Sequence, residues 1–128
     1  MKKNEFSSNL DYINLSDSSG CVIGYCNMQI GSIFHIHSHT VMEIYYIISG
    51  EGELFYRNKW IKAYTGRFYL FPAFTKHTAR TMNPDGLQFM YYFNKGPFRN
   101  INYYIDKPLK IYEIYNNDVK RETNASKL

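Results

Sequence analysis

The sequence is poor in the residues that mark several common classes of protein. It has only two cysteines, Cys21 and Cys26, and their spacing would put them on opposite faces of a strand, which disfavours a disulfide between them. Two free thiols are typical of a reducing compartment. No apolar run approaches the roughly 18 residues that a membrane span needs, and Lys2 and Lys3 are not followed by the apolar segment of a secretion signal. We therefore expect a soluble cytoplasmic protein with no membrane partner.

Strong charge of one sign is also missing. The net charge is only +4, and much of the positive excess lies near the chain ends, which are usually solvated. No basic amphipathic helix is visible, so the sequence predicts no nucleic-acid binding by this chain. The 128 residues suit a single domain over 1–128, with a core over about 10–115 and a polar tail over 116–128.

Aromatic residues, by contrast, are abundant, with 13 Tyr and 9 Phe. These side chains favour pleated, half-buried surfaces. Apolar runs between turn signals predict nine strands: DYINL, CVIGYCNMQI, IFHIHSH, EIYYII, ELFYR, WIKAY, RFYLF, HTARTM and LQFMYYF. We expect Asn58 and Lys59 to form a tight hairpin, and a further run, IYEIY at 111–115, fits either a final strand or a short helix. This spacing predicts an all-β sandwich or barrel in which alternate residues face one interior.

Histidine is scarce but concentrated. Three of the four histidines, His35, His37 and His39, occupy alternate positions and would project from one face of a strand. Glu43 follows on the next strand, and His77 opens a later one. Neutral imidazoles and one carboxylate suit a divalent first-row metal and leave coordination positions open for water, dioxygen or substrate. Closed structural zinc sites usually contain cysteine, and neither cysteine is near this stretch, so the pattern favours an open metal site over histidines on a wet strand face.

The same region resembles a known family. The stretch from Gly31 to Gly50 is similar to the first cupin motif, G(X)5HXH(X)3-4E(X)6G, with every specified position filled. The stretch from Gly66 to Thr81 resembles the second motif, G(X)5PXG(X)2H(X)3N, at its glycine, proline and histidine positions. The resemblance implies a double-stranded β-helix, or jelly-roll barrel, with one divalent transition metal (Fe, Mn, Ni, Co or Zn). The metal ligands that it implies are His37, His39, Glu43 and His77.

Two positions depart from the second motif. Phe74 stands where the motif has glycine, so we expect the loop before His77 to take another backbone route, with the Phe74 ring available as a lid. Thr81 replaces an asparagine. It has the parity of His77 and should face inward, where it either binds ligand or fills space.

Two further residues are candidates for the ligand pocket. His35 lies on the predicted ligand face, where it either contacts a metal ligand or substrate or is simply a buried, hydrogen-bonded side chain. Tyr45 shares the parity of Glu43 and either faces the pocket or packs in an aromatic interior. These two are the acid–base candidates beyond the metal ligands. The pattern assigns no catalytic residue.

The stretch HSHTVMEIYYIISGEGELFYRNKW, followed by FPAFTKH, also resembles the sensor domain of AraC-type transcription regulators, whose barrel binds an effector. This chain has no room for their helical DNA-binding domain, so we expect an isolated sensor-like barrel or a stand-alone cupin. The first hypothesis is therefore a metal-binding domain that binds or senses a small molecule. A metal-dependent dioxygenase, isomerase or lyase is the alternative, and a dimerising barrel with a vestigial site is the third hypothesis.

A divalent ion with three neutral histidines and one glutamate keeps about one positive charge, which favours a small anionic or chelating ligand. Cupin barrels often pair, so we also expect a homodimer, with an exposed aromatic strand such as CVIGYC supplying the contact.

Overall fold

Two five-stranded antiparallel sheets form the computed structural model, which describes residues 7–106. The first sheet has the strand order β1-β2-β9-β4-β7 and the second has the order β10-β3-β8-β5-β6. This architecture is the expected all-β jelly-roll barrel. The strands are β1 Ser7–Asp17, β2 Val22–Phe34, β3 His37–His39, β4 Glu43–Gly50, β5 Gly52–Tyr56, β6 Lys59–Ala63, β7 Phe68–Phe71, β8 His77–Arg80, β9 Leu87–Phe93 and β10 Tyr103–Ile105, with a 3-10 turn at Phe98–Asn100.

All nine predicted strands are present, but the bounds differ in places. The first strand begins at Ser7 rather than Asp11, and the predicted strand IFHIHSH is divided between the end of β2 and β3. A short tenth strand, β10, pairs with β3 and was not predicted. The segment 111–115, left open between strand and helix, lies outside the described residues. Within 7–106, no helix is long and apolar enough to cross a membrane.

Period-two alternation places the core between the two sheets. Along β9, the buried residues Leu87, Phe89, Tyr91 and Phe93 alternate with half-buried ones, because successive side chains point to opposite faces. The other strands of the first sheet follow the same rule. The interior therefore combines aromatic side chains, such as Phe89 and Phe93, with aliphatic ones, such as Leu87.

The hairpin between β5 and β6 turns one residue earlier than predicted. Its central residues are Arg57 and Asn58, with φ of 52° and 63°, the left-handed values that a tight two-residue hairpin requires. In this register Phe55 faces Trp60 across the ladder, and their rings meet edge-on at 5.3 Å. Aromatic cross-strand pairs of this kind stabilise a sheet, which gives a physical reason for the observed turn.

All three glycines that match the cupin motifs, Gly31, Gly50 and Gly66, occupy left-handed backbone positions. Gly50 and Gly66 both have φ of +85°. At Gly50 the backbone of the neighbouring turn is so close that an added Cβ would lie 2.1 Å from the carbonyl oxygen of Gly86, whereas at Gly66 nothing lies within 4 Å. The motif therefore requires glycine for conformation at both positions, and for close approach at Gly50 alone.

This difference predicts unequal costs for the same substitution. Gly66→Ala should lower the free energy of unfolding by about 1 kcal/mol, because it introduces only left-handed strain. Gly50→Ala adds a collision with backbone and should cost about 3 kcal/mol or more. Urea denaturation of the two variants beside the parent protein measures both values. Equal losses would contradict the close approach at Gly50.

Candidate metal centre

The four predicted metal ligands come from three strands on two sheets. His37 and His39 lie on β3, and His77 opens β8, which pairs with β3 through His37 and His77. Glu43 is the first residue of β4 in the opposite sheet. The group therefore sits between the sheets, where the closed fold brings together residues that are up to 40 positions apart in sequence.

The group has the dimensions of a metal site. One ligand atom from each of the four residues lies within 4.8 Å of all the others, and none of the residues is more than 4% exposed. A metal ion bound to nitrogen and oxygen ligands at about 2.0–2.2 Å holds them at most about twice that distance apart. These four residues could therefore hold one metal ion after a small contraction.

Each of the three imidazoles is oriented by a backbone carbonyl two residues away. The Nδ1 atom of His37 lies 2.8 Å from the carbonyl oxygen of His35, and the Nδ1 atoms of His39 and His77 lie at the same distance from the carbonyls of Val41 and Thr75. A carbonyl only accepts, so each Nδ1 carries the hydrogen. In a neutral ring, Nε2 then keeps the lone pair that a metal needs.

The Nε2 atoms of two rings point at the same carboxylate oxygen. Oε1 of Glu43 lies 3.0 Å from Nε2 of His39 and 2.8 Å from Nε2 of His77. Two nitrogen lone pairs facing a carboxylate repel one another unless a positive charge lies between them, either protons on the rings or a metal ion. The chemistry of the donor set therefore fits a divalent cation.

The ionisation of the site follows from burial and from these contacts. Burial raises the pKa of the Glu43 carboxyl, but hydrogen bonds with His39 and His77 outweigh this effect and lower the pKa to about 2. Burial lowers the pKa of His37 well below its usual value, with repulsion from His77 as the second cause. At neutral pH the site therefore offers one carboxylate and a neutral His37 ring, as metal binding requires.

A cavity of about 40 Å³ opens beside this group. Its walls are mostly apolar and aromatic, and no lysine or arginine of residues 7–106 is among them. That volume leaves room for a few water molecules. The lining residues are Leu10, Tyr12, Cys26, Phe34, His37, Glu43, Tyr45, Phe89, Tyr91, Phe93, Phe98 and Tyr103.

Of the three predicted pocket residues, the structure brings only Tyr45 to this cavity. Tyr45 is 1% exposed and its ring centre lies 6.3 Å from that of His77. His35 is buried, but it approaches the ligand group through its carbonyl oxygen rather than as a wall of the cavity. Thr81 faces inward as predicted, yet it lies at another level of the barrel, where its hydroxyl donates to the carbonyl of Glu51 at 2.6 Å.

The expectation of a different backbone route at Phe74 is wrong. Phe74 has φ of 65°, so it adopts the left-handed conformation that the motif glycine would supply. Its amide donates to the carbonyl of His39 at 2.8 Å, and this bond ties the loop to a ligand strand. The ring does not line the cavity. It is 63% exposed and stacks on Tyr104.

Sequence reasoning missed most of the cavity residues, and two of these, Cys26 and Tyr103, lie near the metal-ligand group. Cys26 is far from the histidine motif in sequence, but β2 carries its thiol to the cavity wall, where burial and then Glu43 raise the pKa of the thiol. Tyr103 lies on the unpredicted β10, with its ring centre 5.2 Å from that of His39. The alternation of residues along β2 could have shown that Cys26 faces inward. Strand β10 has only three residues, which is too short to show such an alternation.

The Cupin domain family model matches residues 24–93, which is more than half of the chain. The chain therefore belongs to the cupin family. No curated protein matches it in sequence.

Similar solved structures agree with this fold. Salicylate 1,2-dioxygenase from Pseudoaminobacter salicylatoxidans has a TM-score of 0.67 at 9% identity, over 77% of this chain and 31% of that one. DMSP lyase DddQ from Ruegeria pomeroyi has a TM-score of 0.66 at 18% identity, over 80% and 54%. A predicted oxalate decarboxylase from Thermotoga maritima has a TM-score of 0.62 at 20% identity, over 68% and 81%. The chain thus spans about a third of the dioxygenase and half of the lyase.

The lowered pKa values of His37 and Glu43 predict two pH ranges in which acid destabilises the folded protein. The pKa of His37 is lowered in the fold, so its contribution is present above the unfolded value of about 6.5 and is lost as pH falls towards the lowered pKa. The pKa of Glu43 is also lowered, so its contribution is lost only below about 4.5. Because bound metal adds to the first effect, metal-loaded protein should lose more stability than stripped protein between about pH 6 and 4.

Melting temperatures of metal-loaded and metal-stripped protein, measured across this range, check the prediction. The two curves should converge as pH falls. Curves that stay parallel, or that coincide at neutral pH, would show that no metal is coupled to the fold through these histidines.

Proposed function

We propose that this cupin domain binds a small molecule through a divalent transition metal held by four residues. The observation that carries the proposal is the convergence of three oriented imidazoles and one carboxylate beside a largely aromatic cavity. The ligands would be the Nε2 atoms of the rings and the Glu43 carboxylate. A bound ion would supply Lewis acidity and open positions for a ligand donor atom. The proposed ligand set is His37, His39, Glu43 and His77.

The walls of the cavity suggest the class of small molecule. Because no basic side chain of the part of the chain that the structure describes lines it, an anionic or chelating group would have the metal as its positive partner. The remaining walls would receive an apolar or flat part of the ligand. A volume of about 40 Å³ suits a few heavy atoms. We therefore propose a small ligand with one metal-binding donor group and an otherwise apolar body.

A metal-dependent enzyme is the second candidate, and Tyr45 is the observation that favours it. No hydrogen bond of its hydroxyl is seen within the described residues, although Tyr45 is almost wholly buried on the cavity wall. Burial, and then the Glu43 carboxylate, raise the pKa of Tyr45 well above its usual value. Its phenol is therefore a protonated donor facing the space beside the metal group. The known dioxygenase and lyase with this fold make such chemistry a reasonable alternative.

Sensing, as in the AraC-type regulators, stays a prediction from the sequence resemblance. The cytoplasmic location and the single-domain bounds stay predictions as well. The four-residue ligand set can be tested directly.

Metal content should depend on the four ligands and not on the neighbouring histidine. His37→Ala and His77→Ala should each reduce metal from about one ion per chain to a small fraction, because each removes a coordinating nitrogen. His35→Ala is the matched control, since it removes an imidazole from the same stretch that lies outside the ligand group. Elemental analysis of purified, folded protein measures the ratio. The ligand set is wrong if His37→Ala and His77→Ala fold and keep the parent metal content.

The role of Tyr45 can be tested with azide as a small metal-binding probe. In cobalt-loaded protein, Tyr45→Phe should weaken azide binding about five- to tenfold, because one hydrogen bond to the bound anion is lost. Tyr91→Phe is the control, since Tyr91 also lines the cavity but already donates its hydroxyl to Asn14. Visible absorption of the cobalt centre follows the titration. Equal azide affinity in Tyr45→Phe and the parent protein would remove Tyr45 from the proposed site.

A further inference from the structure

The cavity beside the metal-ligand group reaches towards the surface on one side. Most of its lining residues are buried, but three of them, Phe34, Phe98 and Tyr103, are only half-buried. A ring that borders the cavity and also reaches solvent lies where the cavity is closest to the surface. Within residues 7–106, these three rings therefore mark the mouth of the cavity.

The three rings of the mouth come from three different segments. Phe34 ends β2 and Tyr103 opens β10. Phe98 begins the 3-10 turn that lies between β9 and β10. The mouth is therefore bordered by two strand ends and one turn, and the turn supplies one of its three rings.

Two of these rings pack directly on metal ligands. The ring centre of Phe34 lies 4.7 Å from that of His37. The ring centre of Tyr103 lies 5.2 Å from that of His39 and 5.7 Å from that of His37. A change in the Phe34 or Tyr103 ring would therefore also change the packing around the imidazoles.

Phe98 lies one ring further from the ligands. Within the part of the chain that the structure describes, its ring contacts Tyr12, Phe93 and Tyr103, with centres 5.9, 6.1 and 6.1 Å away. None of these three is in the ligand group, and the separations fall in the upper part of the range of about 4.5–7 Å for aromatic pairs. The Phe98 ring therefore narrows the mouth without packing on a metal ligand.

The backbone of Phe98 is held by bonds that do not involve its ring. Its amide donates to the carboxylate of Asp17 at 2.8 Å, and its carbonyl accepts from the amide of Ile101 at 3.1 Å. The next bond of the turn runs from the amide of Asn100 to the carbonyl of Pro97 at 2.9 Å. The turn should therefore keep its place when the Phe98 ring is shortened.

We propose that Phe98 determines the specificity of the site by limiting the size of the ligand, an inference that rests on the proposed function. A ligand held by its donor group at the metal would have an inner space of about 40 Å³, enough for a few heavy atoms. A larger apolar body would have to extend through the mouth, where the Phe98 ring lies. The protein therefore selects short carboxylates and similar anions over those that carry a ring.

The test compares acetate with benzoate in cobalt-loaded protein, because the two anions share a carboxylate and differ by a phenyl ring in place of a methyl group. Phe98→Ala removes one phenyl ring from the mouth, so the phenyl ring of benzoate should enter the space that is left. Benzoate affinity should rise at least about tenfold, because burying a phenyl ring is favourable. Acetate affinity should stay within about twofold of that of the parent protein. Visible absorption of the cobalt centre follows both titrations.

Phe68→Ala is the matched control. It makes the same substitution at a ring that is 71% exposed and lies outside the cavity, so both affinities should stay at their parent values. Phe98→Leu removes less of the side chain and should give a smaller rise for benzoate alone. This variant decides the question if Phe98→Ala does not fold.

The outcomes separate this inference from the proposed function. If the parent protein and Phe98→Ala bind acetate alike and benzoate affinity does not change, Phe98 does not limit ligand size, while the proposed function stands. Equal rises for acetate and benzoate, a parent protein that binds benzoate as tightly as acetate, or the same rise in Phe68→Ala would also overturn the inference alone. A parent protein that binds no cobalt, or whose cobalt centre binds neither azide nor acetate, would remove the proposed function and this inference together.

Discussion

A carboxylate that is buried between two sheets needs partners for its charge, and those of Glu43 lie on the opposite sheet. Its side chain is held by two imidazoles of the facing sheet, and removing either partner would leave charge in a low-dielectric interior. This constraint makes the register of β3 and β8 as important as the ligands themselves. The loop through Phe74 matters because it leads into β8 and its amide bonds to the carbonyl of His39 on β3.

The alternation of residues along β4 and β9 divides the first sheet between two roles. Inward side chains such as Tyr45 and Tyr91 line the cavity, while their immediate neighbours, such as Tyr46 and Met90, lie on the outer side of the sheet. The same strands thus line the candidate site on one side and form the outer surface of the barrel on the other. A change at either face is only one residue away from the other face.

Much of the site could be predicted from sequence because its signals are local. The spacing of His37, His39 and Glu43 combines strand parity with a family motif, and the structure brings these residues together as that spacing predicts. Nine strands could be predicted for a similar reason, since their alternation reports burial directly. The turn that joins β8 to β9 is local as well, with the amide of Gly86 donating to the carbonyl of Asn83 at 2.9 Å.

The misses all depend on information that is not local. Parity gave the side of the sheet for Thr81 but not its depth in the barrel, so its inward direction was right while its place beside the cavity was not. Cys26 reaches the cavity wall only because β2 pairs with β9. Phe74 in a left-handed conformation could not be read from residue preference, since that preference argues against it. Tyr103 lies on a strand of three residues, too short for any periodicity.

The anchoring of each imidazole by a carbonyl two residues away has a consequence for metal selection. The local backbone sets the orientation of each ring, so folding positions the donor atoms without the help of an ion of one preferred geometry. Imidazole and carboxylate donors bind several first-row ions, and the order of their intrinsic affinities is set by the chemistry of the metals and not by the needs of the cell. A rigid, permissive site of this kind is open to mismetallation. If the proposed function is right, the bound ion should therefore follow the relative supply of free ions where the chain folds.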